Sequence, residues 1–357
     1  MSGLGNETAP ATRPNESLPP RDLPADVEVA PLASPGDRER AHGSGVGIPR
    51  GEGGLGRSMA DAARLLDEAG RSLPTPPLLA QEVLAPRLIE LLATPRQRRE
   101  WLPRLASRET VATVAWRDDD DDFTPLGIAL RARRARSRLR LSGQKLFVPD
   151  AGNANLLLVV ARTSGSAGSP RGLSVLLIPA DTPGVQRAPL PEVDRAGRLF
   201  ALSFDDVALD PDCVLGRDGM AWPALDRLGD MAALGLAAES LGGTRRVLDL
   251  CATGSGETNA AAQMQLAETH DQFAPAQRLL LDAAGALDQR SRDASRRASA
   301  VKARVGDLFV RAAELACEVR GAVAPELRAW LARALTNRAL YGTPEAHRER
   351  YAILSGW

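Results

Sequence analysis

Between residues 141 and 216 short apolar runs alternate with turn residues in a β-rich rhythm, and this is the only part of the chain that does so. The text runs LSGQKLFVPDAGNANLLLVVART, a Gly/Ser/Pro spacer, GLSVLLIPADTPGV, a polar link, and RLFALSFDDVALDPDCVLG. Strands fit at 138–141, 145–148, 156–162, 173–179 and 199–204, each bounded by Gly, Pro, Asn or Asp. On both sides the pattern turns helical. The chain is therefore expected to place a compact β-domain between two α-domains.

Composition narrows the function. Lys and Arg total 45 and Asp and Glu total 45, a balance that offers nothing to nucleic acid or to an anionic membrane surface. Cys213, Cys251 and Cys317 are odd in number and far apart, which fits a reducing compartment and argues against a disulfide frame or a zinc site. Three histidines, His42, His270 and His347, form no metal-ligand cluster. No apolar run approaches the ~18 residues of a membrane span, and the start lacks a basic-then-apolar signal pattern. The expectation is a soluble, cytoplasmic protein without a metal, and 357 residues suffice for several lobes.

In chain order, residues 1–47 are rich in Pro, Gly, Ser, Asp and Arg and read as a disordered tail. From Ser58, a plausible N-cap, SMADAARLLDEAGRSL sets Met59, Ala62, Ala63, Leu66 and Ala69 on one helical face. More helix follows in LLAQEVLAPRLIELLA, and Thr94 with Pro95 starts another. ETVATVAW has strand composition and leads into five aspartates from Asp118, which lack the glycine and the spacing of a hard-cation loop and read as a solvated loop. The arginines between Arg131 and Arg140 suit an exposed hairpin edge. Beyond Gly216 long amphipathic helices, one broken or kinked near Pro275, predict an up-and-down bundle. A lone G-x-G at Gly254 and Gly256 lacks the strand and third glycine of a nucleotide fingerprint.

That order, and the residue text within it, resembles the acyl-CoA dehydrogenase family. GEGGLG at 51–56 resembles the family's P-x-x-x-GG-x-G turn, and residues 93–107 its helix ending in w-L-p-x-l-a. GQKLFVPDAGNANLLLVVART, GLSVLLIPADTPGV and LFALSFDDVALDPDCVLG are similar to three of its strand motifs. The resemblance covers residue 48 to the end. It implies an α+β fold with an N-terminal helical domain at 48–108, a central small β-barrel at 109–216 and a C-terminal four-helix bundle at 217–357.

The resemblance further implies FAD held between barrel and bundle, and α,β-desaturation of an acyl-CoA or related thioester by a glutamate base and the flavin. Carried over residue by residue, it places Phe147 and Val148 on the flavin-stacking strand, the amides near Val114 and Trp116 at the flavin's pyrimidine edge, and Gly321 in the loop before the last helices. Glu326 is the carboxylate nearest the catalytic position. A carboxylate in that role needs an apolar slot that raises its pKa.

Several family features are missing. Pro149 replaces a threonine whose hydroxyl reaches the flavin, and Ala115, Trp116, Arg117 and the aspartates replace the T-E-P-x-x-G-S-D loop. ATGSGETNAAA stands where the family carries R-x-Q-F-G, so the diphosphate lacks its matched arginine. Two functional classes remain. One is an acyl-CoA dehydrogenase whose FAD site is completed by a partner in a homo- or hetero-oligomer with a paralogue. The other is a non-catalytic, flavin-deficient structural or regulatory partner of an active paralogue. Some members of the family do work as mixed pairs.

Overall fold

The computed structural model describes residues 45–357 apart from 76, 119–123, 191–197, 253–259 and 321–324. An N-terminal helical part carries α1 (Met59–Gly70), a π-helical turn (Leu79–Leu84) that runs into α2 (Ala85–Leu92), and α3 (Pro95–Ala106). The sheet follows: β1 (Ala112–Ala115), β2 (Arg131–Ala135), β3 (Arg138–Pro149), β4 (Leu156–Arg162), β5 (Leu173–Pro179), β6 (Val185–Pro189) and β7 (Leu199–Leu209). The C-terminal part is helical: α4 (Trp222–Ala252), α5 (Ala260–Asp271), α6 (Phe273–Asp288), α7 (Ala294–Arg320), α8 (Pro325–Ala339) and α9 (Pro344–Leu354).

Local signals set the helix starts. The Ser58 hydroxyl accepts the Asp61 N–H while the Asp61 carboxylate takes the Ser58 N–H, a reciprocal cap that closes donors the first turn leaves open. The N–H groups of Met59 and Ala60 donate to the Asp288 carboxylate at 2.7 and 3.2 Å, at the far end of α6. α1 buries Met59, Ala62, Ala63, Leu66 and Ala69, the face its periodicity predicts. Thr94 and Gln97 repeat the capping box at α3. The expected break near Pro275 lies between α5 and α6, with the proline in the first turn of α6, where its missing N–H costs nothing.

Residues 1–44 lie outside the described residues. Gly45, Val46 and Gly47, assigned to the tail by composition, are buried instead. The N–H groups of Gly45 and Val46 donate to the buried Glu82 carboxylate at 2.7 and 3.2 Å, an acceptor no local pattern announces.

The sheet is curled, in the order β1-β4-β2-β3-β7-β6 with β5 on β4. β4 is buried along its whole length: Leu157, Val159 and Ala161 fill the curl, and Leu156, Leu158 and Val160 join the core shared with the helices. That two-sided burial is why β4 reads as an unbroken apolar run. The segments 138–141 and 145–148 form one strand, β3, whose pairing with β7 slips between Leu141 and Gly143 and again between Lys145 and Val148. β6, read as a polar link, pairs with β7 from Val185 to Pro189. β2 and β3 form the arginine-rich hairpin, outward-facing as predicted.

Asp118 departs from the solvated-loop reading. Its carboxylate accepts the N–H groups of Ala129 and Leu130 and faces the fully buried Lys145 ammonium. The other four aspartates lie outside the described residues.

α4 is the spine of the C-terminal part and packs along α1 and α7. Two glycines permit the first contact. A Cβ on Gly242 would stand 1.8 Å from the Asp67 carbonyl oxygen, and one on Gly70 2.0 Å from that of Glu239, so the α1 and α4 backbones touch. Phe309 and Trp330 meet edge to face, centroids 6.3 Å apart, in a second core at the end of the bundle. No helix among the described residues is long and apolar enough to cross a membrane.

Candidate functional site

Where the sheet meets the helices a crevice opens between the end of β3, the start of β7, α4 and the end of α8. The antiparallel register pairs Pro149 with Leu199, so Asp150 just beyond β3 and Arg198 just before β7 face each other. The Asp150 N–H donates to the Arg198 carbonyl at 2.6 Å, and the Arg198 guanidinium grips the Asp150 carboxylate with Nε and Nη2 at 3.3 and 3.4 Å. From the bundle, Glu239 on α4 receives Arg333 of α8 at 2.7 Å, and Arg198 Nη1 lies 3.7 Å from the same carboxylate oxygen. Two guanidiniums and two carboxylates thus close on one another, with Glu239 only 1% exposed. A space of about 10 Å³ remains, the size of one water.

Burial pushes the Glu239 carboxyl up, to about 7, with the Asp150 charge adding to the rise and the Arg198 guanidinium opposing it. Tyr341, which lines the crevice, is pushed upward by burial and by the Asp150 and Glu239 charges. Asp150 and Tyr341 both have left-handed backbone, φ 55° and 58°. Such conformations persist where surrounding contacts fix them. At Tyr341 the fixing contact is the buried His347, whose ring Nε2–H donates to the Tyr341 carbonyl at 3.0 Å.

The residues named from the sequence fall in different places. Val114 and Trp116 are buried in the core at the junction, and the Trp116 ring lies beside Gly229 of α4, 3.7 Å from where a Cβ would stand. The Trp116 carbonyl accepts the Lys145 ammonium at 2.7 Å. Phe147, φ 54°, has the Arg117 guanidinium over its ring at 4.4 Å, and Val148 faces into the curl of the sheet. Pro149 lines the crevice, and its carbonyl takes the Thr113 hydroxyl at 2.6 Å. Glu326 sits in the first turn of α8 with a side chain 58% exposed, 3.7 Å from Arg246. Arg333, two turns along the same helix, reaches the crevice and Glu326 does not line it. Gly321 and the Gly254 and Gly256 pair lie outside the described residues.

The carboxylates that do occupy the junction, Asp150 and Glu239, were not singled out from the sequence. A signal existed for Glu239: it is the sole charge in LGLAAESLGG, a stretch otherwise of small and apolar residues and one serine. Among the described residues no group of His, Cys, Asp or Glu is disposed to hold a metal ion.

The crevice does not fit a flavin as these residues stand. Sites that take such ligands measure roughly 300–1,000 Å³. Here the ion cluster fills the junction, and Arg117 covers the ring of Phe147.

The helix, curled-sheet and helix architecture is that of solved flavoprotein dehydrogenases. A structure described as an FAD-dependent dehydrogenase superposes with a TM-score of 0.80, covering 91% of this chain and 94% of that one at 21% identity. The glutaryl-coenzyme A dehydrogenase complex with glutaryl-CoA gives 0.78 over 87% and 83%, also at 21% identity. Two family models match: the acyl-CoA dehydrogenase N-terminal domain over residues 40–109 and the C-terminal domain over 222–353. The chain belongs to the acyl-CoA dehydrogenase family of oxidoreductases. Its curated relatives include the acyl-CoA dehydrogenase IpdE1 of Mycobacterium tuberculosis, 29% identical over 50% of this chain and 46% of that protein. The mitochondrial isobutyryl-CoA dehydrogenase of Dictyostelium discoideum is 26% identical over 57% of this chain and 50% of that one. The chain spans about half the length of these curated relatives.

Proposed function

We propose that this chain is one subunit of a heteromeric acyl-CoA dehydrogenase, an oxidoreductase complex in which a paralogous subunit carries the FAD that desaturates the acyl-CoA thioester. The observation that carries this reading is the junction filled by Asp150, Arg198, Glu239 and Arg333, which leaves room for one water and none for a tricyclic ring. In this reading the chain contributes the family fold and its helical faces to the assembly. The three free cysteines suit a reducing, cytoplasmic setting.

A second reading, in which this chain is itself the active dehydrogenase, is favoured by Glu239. Burial pushes its carboxyl up to about 7 even beside the Arg198 and Arg333 guanidiniums, within the range a proton-abstracting base requires. An absorbance spectrum separates the two. Purified alone, the protein is expected to show no flavin bands, and co-expressed with a paralogue it is expected to enter a flavin-bearing complex. A full flavin complement in the homo-oligomer would overturn the proposal in favour of the second reading.

A further inference from the structure

We infer that Asp150, Arg198, Glu239 and Arg333 form a built-in clasp that fastens the sheet to the bundle across the crevice, holding the two together from within the chain. The inference rests on the reading that this crevice takes no ligand. Each side brings its own pair. Asp150 and Arg198 belong to the sheet, joined through a two-pronged contact and a backbone hydrogen bond. Glu239 and Arg333 belong to the bundle, joined at 2.7 Å between α4 and α8.

The link between the pairs is Arg198, which faces Asp150 on its own side and the Glu239 carboxylate at 3.7 Å on the other. None of the four is more than 7% exposed, so the charges have been taken from water and are tolerable only because they balance. The anchoring point on α4 is also fixed from behind. The Glu239 carbonyl oxygen lies 2.0 Å from where a Cβ on Gly70 would stand, so α1 holds that turn of α4 in place. A sheet that pulled away from the bundle would break the contact between Arg198 and Glu239 and leave the Glu239 charge to Arg333. The contact therefore resists separation of the two parts and not merely unfolding of either.

Amide hydrogen exchange on the full chain, measured above the pH at which Glu239 titrates, tests the clasp. Arg198→Met leaves two buried carboxylates against one guanidinium. Exchange is expected to accelerate by roughly 100-fold on both sides of the junction, at Leu199 in the sheet and around Glu239 in α4. Adding Glu239→Gln to that variant restores charge balance and is expected to recover at least about tenfold of the lost protection. Acceleration confined to the sheet, or no recovery in the double variant, would overturn the inference. Should Arg198→Met fail to fold, Arg198→Lys keeps the charge and loses the planar fork. Accelerated exchange on both sides of the junction in that variant then supports the clasp, and acceleration confined to the sheet overturns it. Flavin absorbance of the same preparations reports on the proposed function separately, since a chain with bound flavin and a chain without a clasp give different signals.

Discussion

Replacing Gly242 with alanine sets two effects against each other, and the structure says which wins. In the interior of a helix alanine is intrinsically better than glycine by roughly 1 kcal/mol, so a position free of contacts should gain stability. At Gly242 the new methyl would stand 1.8 Å from the Asp67 carbonyl oxygen, 2.9 Å from its carbonyl carbon and 3.1 Å from the carbonyl carbon of Gly70. All three are α1 backbone, which cannot swing aside as a side chain can. Restoring ordinary contact requires α1 and α4 to part by about 1.5 Å, and a gap of that order forfeits a large part of the dispersion energy of every pair across it. Among those pairs is Leu66, fully buried on the α1 face. Overpacking of this kind costs roughly 1–3 kcal/mol or more, so the net expectation after the propensity gain is a loss of about 2 kcal/mol. For a chain of this size that lowers the thermal midpoint by roughly 3 °C. Circular dichroism melts measure it, with Gly285→Ala as the control: Gly285 is also helical, in α6, and has nothing within 4 Å of its would-be Cβ. The control should rise by up to ~1 kcal/mol. A Gly242→Ala variant that melts with or above the control would refute the claim that α1 and α4 meet backbone to backbone.

Other predictions concern titration, caps and the exposed glutamate. Between the ordinary glutamate pKa of 4.5 and about 7, folded Glu239 keeps a proton that the unfolded chain has released, so its contribution to stability falls as pH rises through that window and is flat above it. The full effect is about 3 kcal/mol, felt among Asp150, Arg198, Arg333 and Tyr341, and Glu239→Gln should remove that slope from urea unfolding energies measured across the range. His347 acts in the opposite sense: burial holds its ring down to about 4, so its contribution is present above pH 6.5 and is lost as pH falls towards 4, and His347→Gln should flatten that limb. Ser58→Ala breaks the capping box of α1 and should cost about 1 kcal/mol in the same assay. Glu326→Gln, at an exposed first turn, should shift stability by under ~0.5 kcal/mol and leave turnover of a reconstituted complex unchanged; lost turnover would identify Glu326 as the base.

What could be read from the sequence followed from local rules. β4 and β5 carry their own boundaries in Asn155, Arg162, Gly172 and Pro179, and α1 and α3 carry theirs in Ser58 and Thr94. β3 read as two strands because Ser142 and Gly143 interrupt its apolar beat, and in the fold that interruption is a slip in pairing and the strand continues. β6 was missed because Gln186 and Arg187 lie on an edge where neither face is buried, so no alternation marks it. The crevice was beyond local rules altogether. Its four charges come from the end of one strand, the start of another and two helices, and only the β3 and β7 register and the crossing of α4 with α8 bring them together. Glu326 drew notice through its neighbours in the chain, whereas Glu239 owes its place to neighbours in space.

The carboxylate of Asp288 closes the first turn of α1 from a point 229 residues further along the chain. Synthesis runs from the N-terminus, so α1 leaves the ribosome long before the residue that finishes its cap exists. Its opening turn must wait, with the Met59 amide served by water, until the first half of the bundle has been made and α6 has swung into place. A nascent chain stalled short of residue 288 should therefore leave that amide open to solvent, and its protection would mark the moment at which the two ends of the molecule first recognise each other.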